Sequence, residues 1–228
     1  MELKAEGTTD DYANIMKAVA ALRDSQTGGR AKQSLYFPAG RYSVSQSIFL
    51  DHWLGGGFYG EGPDQSVIVS SSGKSVFRTN SAGQIAFVGL GLETSVGAIE
   101  PVFDLSWDNS AGVPANGAAL QANTFCNVRF QNGDESLSIA RGGYMRSENL
   151  IVESAFKDSN AGMAVHFFNA LTNTVVASIF ENVKTAVEQD FIAGSFNVYN
   201  STMRSIREAG VGLMGGTGDA VVLDHIDY

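Results

Sequence analysis

The apolar positions of this chain recur. Strand-length stretches with one pattern run through CNVRFQN (Cys126 to Asn132), VESAFKD (Val152 to Asp158), VASIFEN (Val176 to Asn182), YNSTMRS (Tyr199 to Ser205) and VLDHIDY (Val222 to Tyr228). Aligned on their large apolar residues, Phe130, Phe156, Phe180, Met203 and Ile226, they stand 26, 24, 23 and 23 residues apart, the period of a solenoid. Two residues beyond each marker come Asn132, Asp158, Asn182, Ser205 and Tyr228. The corner after the strand is thus mostly small and polar, suited to side chains that bond neighbouring backbone. A second alternating strand follows each corner: LSIAR (Leu137 to Arg141), MAVHFF (Met163 to Phe168), TAVEQDF (Thr185 to Phe191) and GVGLM (Gly210 to Met214). With Leu137, Ile139, Met163, Val165, Phe167 and Val187 turned inward, Ser138, Ala140, His166, Glu188 and Asp190 turn outward.

Upstream, Thr8 to Asp24 predicts a helix. Thr8 and Asp11 make a capping pair, Asp10 and Asp11 suit the positive end of the helix dipole, and Ile15, Met16, Val19 and Leu22 share one face. Such a helix, alone before a strand-rich chain, is placed to cover the open end of a stacked core, which would otherwise expose apolar side chains and unpaired backbone. Ser25 to Lys32 reads as a polar loop, and Gln33 to Leu50 as two strands broken at Pro38-Ala39-Gly40. Val67 to Val69 follows as a short strand, and Ile85 to Glu93 as a strand pair. Leu92 and Phe130 are 38 residues apart, so Pro101 to Gly117 interrupts the period and is expected to project as a loop. Residues 1–32 are expected to form the cap and residues 33–228 the solenoid.

Composition narrows the class. The 228 residues are 44% hydrophobic, enough for a substantial core, and Gly (26) far outnumbers Pro (4), as tight corners between short strands require. A formal charge of −9, with no Lys/Arg run interleaved with aromatics, argues against nucleic acid or an anionic membrane surface as main partner. A local groove for an acidic polysaccharide stays compatible with that charge. The single Cys126 excludes an intrachain disulfide and a Cys-rich metal site, and within its alternating apolar stretch it reads as a buried small hydrophobe. No 18-residue apolar run occurs and Met1 to Gly7 holds no signal-peptide hydrophobic region, so the chain as given reads as soluble. An extracellular destination, or a virion surface for a phage protein, is expected.

The order of Thr-Asp-Asp and an amphipathic helix, then LYFPAGRYSVS (Leu35 to Ser45), then YGEGPDQSVIV (Tyr59 to Val69), resembles the amino-terminal end of the pectate-lyase-like right-handed parallel β-helix superfamily. The resemblance rests on motifs over about the first 70 residues, and on period and turn composition beyond them. It implies an all-β, right-handed single-stranded parallel β-helix with an N-terminal capping α-helix. It also implies a polysaccharide partner, acted on by a lyase, a glycoside hydrolase or a tailspike-type depolymerase, and a homotrimer by likeness to tailspikes. Two departures stand out: only Met1 to Gly7 precedes the Thr-Asp-Asp, and Tyr228 falls in or just after a repeat strand. They are expected of a fragment, or of an oligomer whose partner covers the last rung.

Candidate chemistry follows from the rungs. Parallel strands lie roughly 4.7–4.9 Å apart, which puts His166 in reach of Glu188 or Gln189 on the next rung, as a base or acid oriented by a carboxylate. The competing reading is a solvated polar ladder. NGDESLSIA (Asn132 to Ala140) resembles the Asn-Gly-Asp-Asp segment of polygalacturonase-type hydrolases, which would make Asp134 and Glu135 catalytic carboxylates. The rest of that pattern fails in sequence: Asn116 stands where an Asp is expected, Ala161 to Met163 where Gly-His-Gly is expected, and Val187 to Gln189 in place of Arg-x-Lys. Asp134 and Glu135 then read equally as turn residues. Arg141, Tyr144 and Arg146, in one Gly-rich turn, and Asp190 and Trp107 are candidates for binding a sugar; the same residues also read as ordinary surface, and the Trp107 loop as one that packs on itself. Calcium would need a carboxylate cluster, and neither Asp104/Asp108 nor Glu188/Asp190 has recognisable loop spacing, so no cofactor is expected. The first functional reading is a polysaccharide-degrading or modifying enzyme. The second is a non-catalytic carbohydrate-binding or structural β-helix.

Overall fold

The chain winds as a right-handed parallel β-helix with one helix near its start. The computed structural model describes residues 6–24, 31–51, 53–80, 82–105, 122–139, 148–159, 163–167, 172–190, 196–214 and 221–228. Each coil crosses three faces. The first carries Ala31–Phe37, Gly55–Gly60, Ala86–Val88, Thr124–Cys126, Leu150–Val152 and Asn173–Val176. The second carries Gly40–Val44, Ser66–Ser70, Gly91–Thr94, Arg129–Gln131, Ala155–Lys157 and Ile179–Glu181, and Phe196–Arg204 runs through both. A seven-stranded third face runs from Ile48–Asp51 through Phe77–Asn80, Phe103–Leu105, Leu137–Ile139, Met163–Phe167 and Thr185–Asp190 to Ala209–Met214.

The corners explain the sequence repeat. Asn132, Asp158, Asn182 and Ser205 all have positive φ, between 53° and 67°, and so turn the chain from the second face to the third. Asn and Asp tolerate that left-handed region best among residues with a side chain. A matching set, Asn127, Glu153, Ala177, Asn200 and His225, turns the chain from the first face to the second. The corner amides stay paired: Asn127, Glu153 and Ala177 donate to Val152, Val176 and Tyr199 on the next rung. The ladder therefore continues round these bends, with the donors of the left-handed residues satisfied.

Inside, like stacks on like. Phe58, Phe87 and Phe125 superpose with ring centroids 5.2 Å apart, and Phe130 lies 5.0 Å from Phe156, which lies 4.9 Å from Phe180. The marker column is extended upstream by Leu92, Ile68 and Tyr42. Its last member is corrected: Ile226 pairs with Ser201, and Asp227 with Thr202, so the position opposite Met203 falls on Tyr228. Apolar spacing within each strand does not reveal such a shift, because register is set between strands. Two buried polar ladders, unseen in the repeat, run beside the rings. Asn149 Oδ1 accepts from the Asn123 amide, Asn173 Oδ1 accepts from the Asn149 amide, and Ser154, Ser178 and Ser201 accept from Val128, Ser154 and Ser178 in the same way.

Several boundaries move. The helix is Tyr12–Asp24, while Thr8 lies in a strand, Glu6–Asp10, that pairs with Gly40–Val44. Asp11 supplies the first helical carbonyl, to Ile15, and Asp10 Oδ1 accepts from the Tyr12 amide, so the capping pair sits later than Thr8. Ile15, Val19 and Leu22 join the core with Met16 packed against it, closing the end of the stack. Residues 33–50 form parts of three strands, because Ser45 to Ser47 makes a second corner. Phe103–Leu105 is a rung of the third face, so the insertion begins after Leu105. Cys126 is half-buried and points out of the first face between Val88 and Val152, whose outward columns are open to water where its inward neighbours are not.

Two outcomes follow. Asn149→Ala removes the acceptor of a buried amide and should cost about 1–3 kcal/mol in urea denaturation. The Ser45 hydroxyl, with the Tyr12 and Ser45 amides, holds the Asp10 carboxyl below its ordinary value. The stability lost in Asp10→Asn should accordingly be fully expressed at neutral pH and vanish as pH falls below the ordinary carboxyl value through the lower folded one.

Candidate functional site

Along the third face the outward positions stack one per rung: Phe49, Arg78, Asp104, Ser138, His166, Glu188 and Gly212. They alternate with the core column Ile48, Phe77, Phe103, Leu137, Val165, Val187 and Val211, as the period of two dictates. Arg78 is exposed and Glu188 half-buried, but between them Asp104 (7%), Ser138 (0%) and His166 (4%) are withdrawn from water. A solvated ladder is therefore excluded for the middle of the column.

Each buried polar group there needs a partner. The Asp104 carboxylate lies 3.6 Å from the Arg78 guanidinium. His166 Nδ1 lies 2.9 Å from Glu135 Oε1, both side chains being buried. Glu135 reaches His166 from the corner of the preceding rung, which is tight: a Cβ on Gly133 would meet the Glu135 carbonyl at 2.3 Å and Val102 at 2.6 Å. With Glu135 ionised, Nδ1–H is the donor and Nε2 becomes the position from which a proton can be given or taken.

His166 thus has a partner that spacing did not indicate. Glu188 is its register neighbour as expected, but Gln189 turns inward and is buried, and the short bond is to Glu135. Two candidates that sequence kept apart, the NGDES turn and the His166 strand, meet in one contact. Asp134 stays at the corner, half-buried, its amide donating to the Glu100 carbonyl.

The hydrolase comparison changes by rung as well. Asp104 and His166 flank Ser138 on the rungs before and after it, whereas the position one rung before Asp134 is Glu100, so the Asp and the His of that pattern are not met at the turn. In place of the basic pair stands Glu188. Spacing puts Asp104 in a projecting loop because Phe103-Asp104-Leu105 is short; its alternation, matching Leu137-Ser138-Ile139, is the signal that places it on a rung. Asn116, Trp107, Asp108, Arg141, Tyr144, Arg146, Ala161 and Gly162 lie outside the described residues, as does the side chain of Asp190, whose backbone pairs with Met214. Among the described residues no group of three or more His, Cys, Asp or Glu is placed to hold a metal ion, and no helix is long and apolar enough to cross a membrane.

No protein-family model and no curated protein matches the chain. Solved structures do. The catalytic unit of the thermostable GH87 alpha-1,3-glucanase from Streptomyces thermodiastaticus strain HF3-3 matches 98% of this chain with a TM-score of 0.69 at 12% identity. This chain spans 39% of that unit's length. ORF18 of Geobacillus virus E2 matches with a TM-score of 0.39 at 12% identity, over 97% of this chain and 60% of its own. The Streptococcus pneumoniae surface protein and adhesin PfbA matches with 0.38 at 10% identity, over 97% and 98%. At such identity the likeness to the glucanase is one of fold.

The Glu135–His166 contact has a measurable worth. Glu135→Ala leaves a buried imidazole nitrogen without its carboxylate and should cost about 1–3 kcal/mol in urea denaturation.

Proposed function

We propose that this chain is a polysaccharide-active member of the pectate-lyase-like superfamily and acts as a glycoside hydrolase, the sugar chain lying along the third face. The observation that carries the reading is the buried Glu135–His166 pair, 2.9 Å apart, whose histidine stands in one outward column with Asp104 and Glu188. Hydrolysis of a glycosidic bond needs a proton donor for the leaving oxygen and a base for water. His166, oriented by Glu135, gives the proton from Nε2 to the glycosidic oxygen as the bond to the anomeric carbon breaks. Asp104, with the Arg78 guanidinium beside its carboxylate, takes a proton from the water whose oxygen bonds that carbon. Two rungs separate Asp104 from His166, roughly 9–10 Å, at the upper end of the about 6.5–9.5 Å between the carboxyl groups of inverting enzymes. Glu188, on the next rung and more open to water, is suited to hold a sugar hydroxyl.

The burial of Asp104, Ser138 and His166 favours a second reading, a polar column in a non-catalytic sugar-binding β-helix. A screen on acidic and neutral polysaccharides separates the two. New reducing ends are expected, with His166→Ala about 10²–10⁴-fold slower. Absorbance from unsaturated uronates would replace hydrolysis by a lyase reaction. Retention of a sugar polymer without any product, or full activity in His166→Ala, would overturn the catalytic column.

A further inference from the structure

The first face carries an aromatic surface that the third-face column does not use. Tyr36 and Tyr59 are register partners on adjacent rungs and both point outward. Tyr36 is 54% exposed, and its hydroxyl donates to Glu61 Oε1 at 3.0 Å. That bond to a carboxylate raises the Tyr36 phenol above its ordinary value, so the donor stays protonated. The Tyr59 ring has an unusual seat. A Cβ at Gly57, two residues earlier on the same face, would fall 2.5 Å from Tyr59 Cε2 and 2.9 Å from its Cζ. The half-buried ring therefore reaches back over Gly57, its Cε2–Cζ edge occupying the space a side chain at 57 would take. Ala86, the register partner of Gly57, is small enough to leave the border of that ring low.

We propose that Tyr59, with Tyr36 and Glu61, forms a carbohydrate-binding subsite for a neutral pyranose residue, on a different face from the catalytic column. It rests on the polysaccharide reading of the chain and adds to it where a second stretch of sugar is held and of what charge. A flat aromatic face offers the stacking that the C–H face of a pyranose requires, without the cost of burying sugar hydroxyls. The exposed Glu61 carboxylate keeps acceptor positions beyond the one Tyr36 occupies, and carboxylates take paired sugar hydroxyls as charge-assisted bonds. The same carboxylate repels a uronate, so the ligand is neutral. Gly57 is the specificity-setting residue in backbone terms, since any side chain there lifts the Tyr59 ring off the sheet.

Native affinity electrophoresis tests this with gels containing soluble α-1,3-glucan derivative, dextran, mannan or polygalacturonate. Retardation by at least one neutral polymer is expected, with none by polygalacturonate at this subsite. Tyr59→Ala should weaken retardation roughly tenfold, and Tyr59→Trp should restore it. Thermal unfolding of Tyr59→Ala matched to the parent confirms that the fold is not the cause. Retardation that survives Tyr59→Ala overturns the subsite and leaves the polysaccharide reading standing. No retardation by any polymer, with no product in the activity screen, overturns both.

Discussion

In-register parallel pairing is the constraint on which this molecule depends. Each rung places a residue directly against its equivalent on the next, at roughly 4.8 Å, so whatever a position contributes it contributes repeatedly. Phenylalanines must then stack nearly face to face, and the Phe130, Phe156 and Phe180 rings do so with interplanar angles of 1° and 9°. Polar residues at inward corners face the same rule. A lone buried Asn would be costly, but Asn123, Asn149 and Asn173 cover the backbone of one rung with the side chain of the next. Pairing survives the corners because left-handed residues bend the chain while their amides keep their partners.

The outer surfaces inherit the same repetition with different chemistry. On the second face Lys157, Glu181 and Arg204 alternate in sign from rung to rung, and the two cations beside Glu181 hold its carboxyl below the ordinary range. Nearer the start, Glu93 receives both Arg41 and Arg129, and Arg129 also holds Asp64, tying the early rungs together from outside. On the third face the column is buried in its middle. There the partners come across rungs, Arg78 to Asp104 and Glu135 to His166, and carboxylate and imidazole are brought into one line.

Much of the fold is legible in the chain because its causes are local. The apolar marker every 23 to 26 residues, the Asn, Asp or Ser two positions on, and the alternation of LSI, AVHF and TAVEQ each reflect a conformational preference of a few residues, and the strands and corners form where those preferences lie. The helix and its buried face are local in the same sense, although Thr8 to Asp10 pair with Ser43 and its neighbours and so leave the helix for a strand. A tertiary partner there outweighed a capping motif.

Register between rungs is not local, and sequence spacing misjudges it wherever loop length varies. Ile226 stands at the familiar interval after Met203, yet pairing sets it against Ser201. By spacing Asn116 falls one rung before the NGDES turn, yet Glu100 holds that place, its carbonyl accepting from the Asp134 amide, and Phe103–Leu105 is the strand that follows it. The outward direction of His166 and its neighbour Glu188 followed from alternation and period alone. That His166 is buried and bonded to Glu135, and that the Tyr59 ring lies over Gly57, are facts of packing between rungs. The sequence by itself determined the repeat and the alternation that turns each strand residue inward or outward. Only the tertiary structure decided which columns are dry and which side chains touch, because burial and side-chain reach depend on neighbours supplied by other coils.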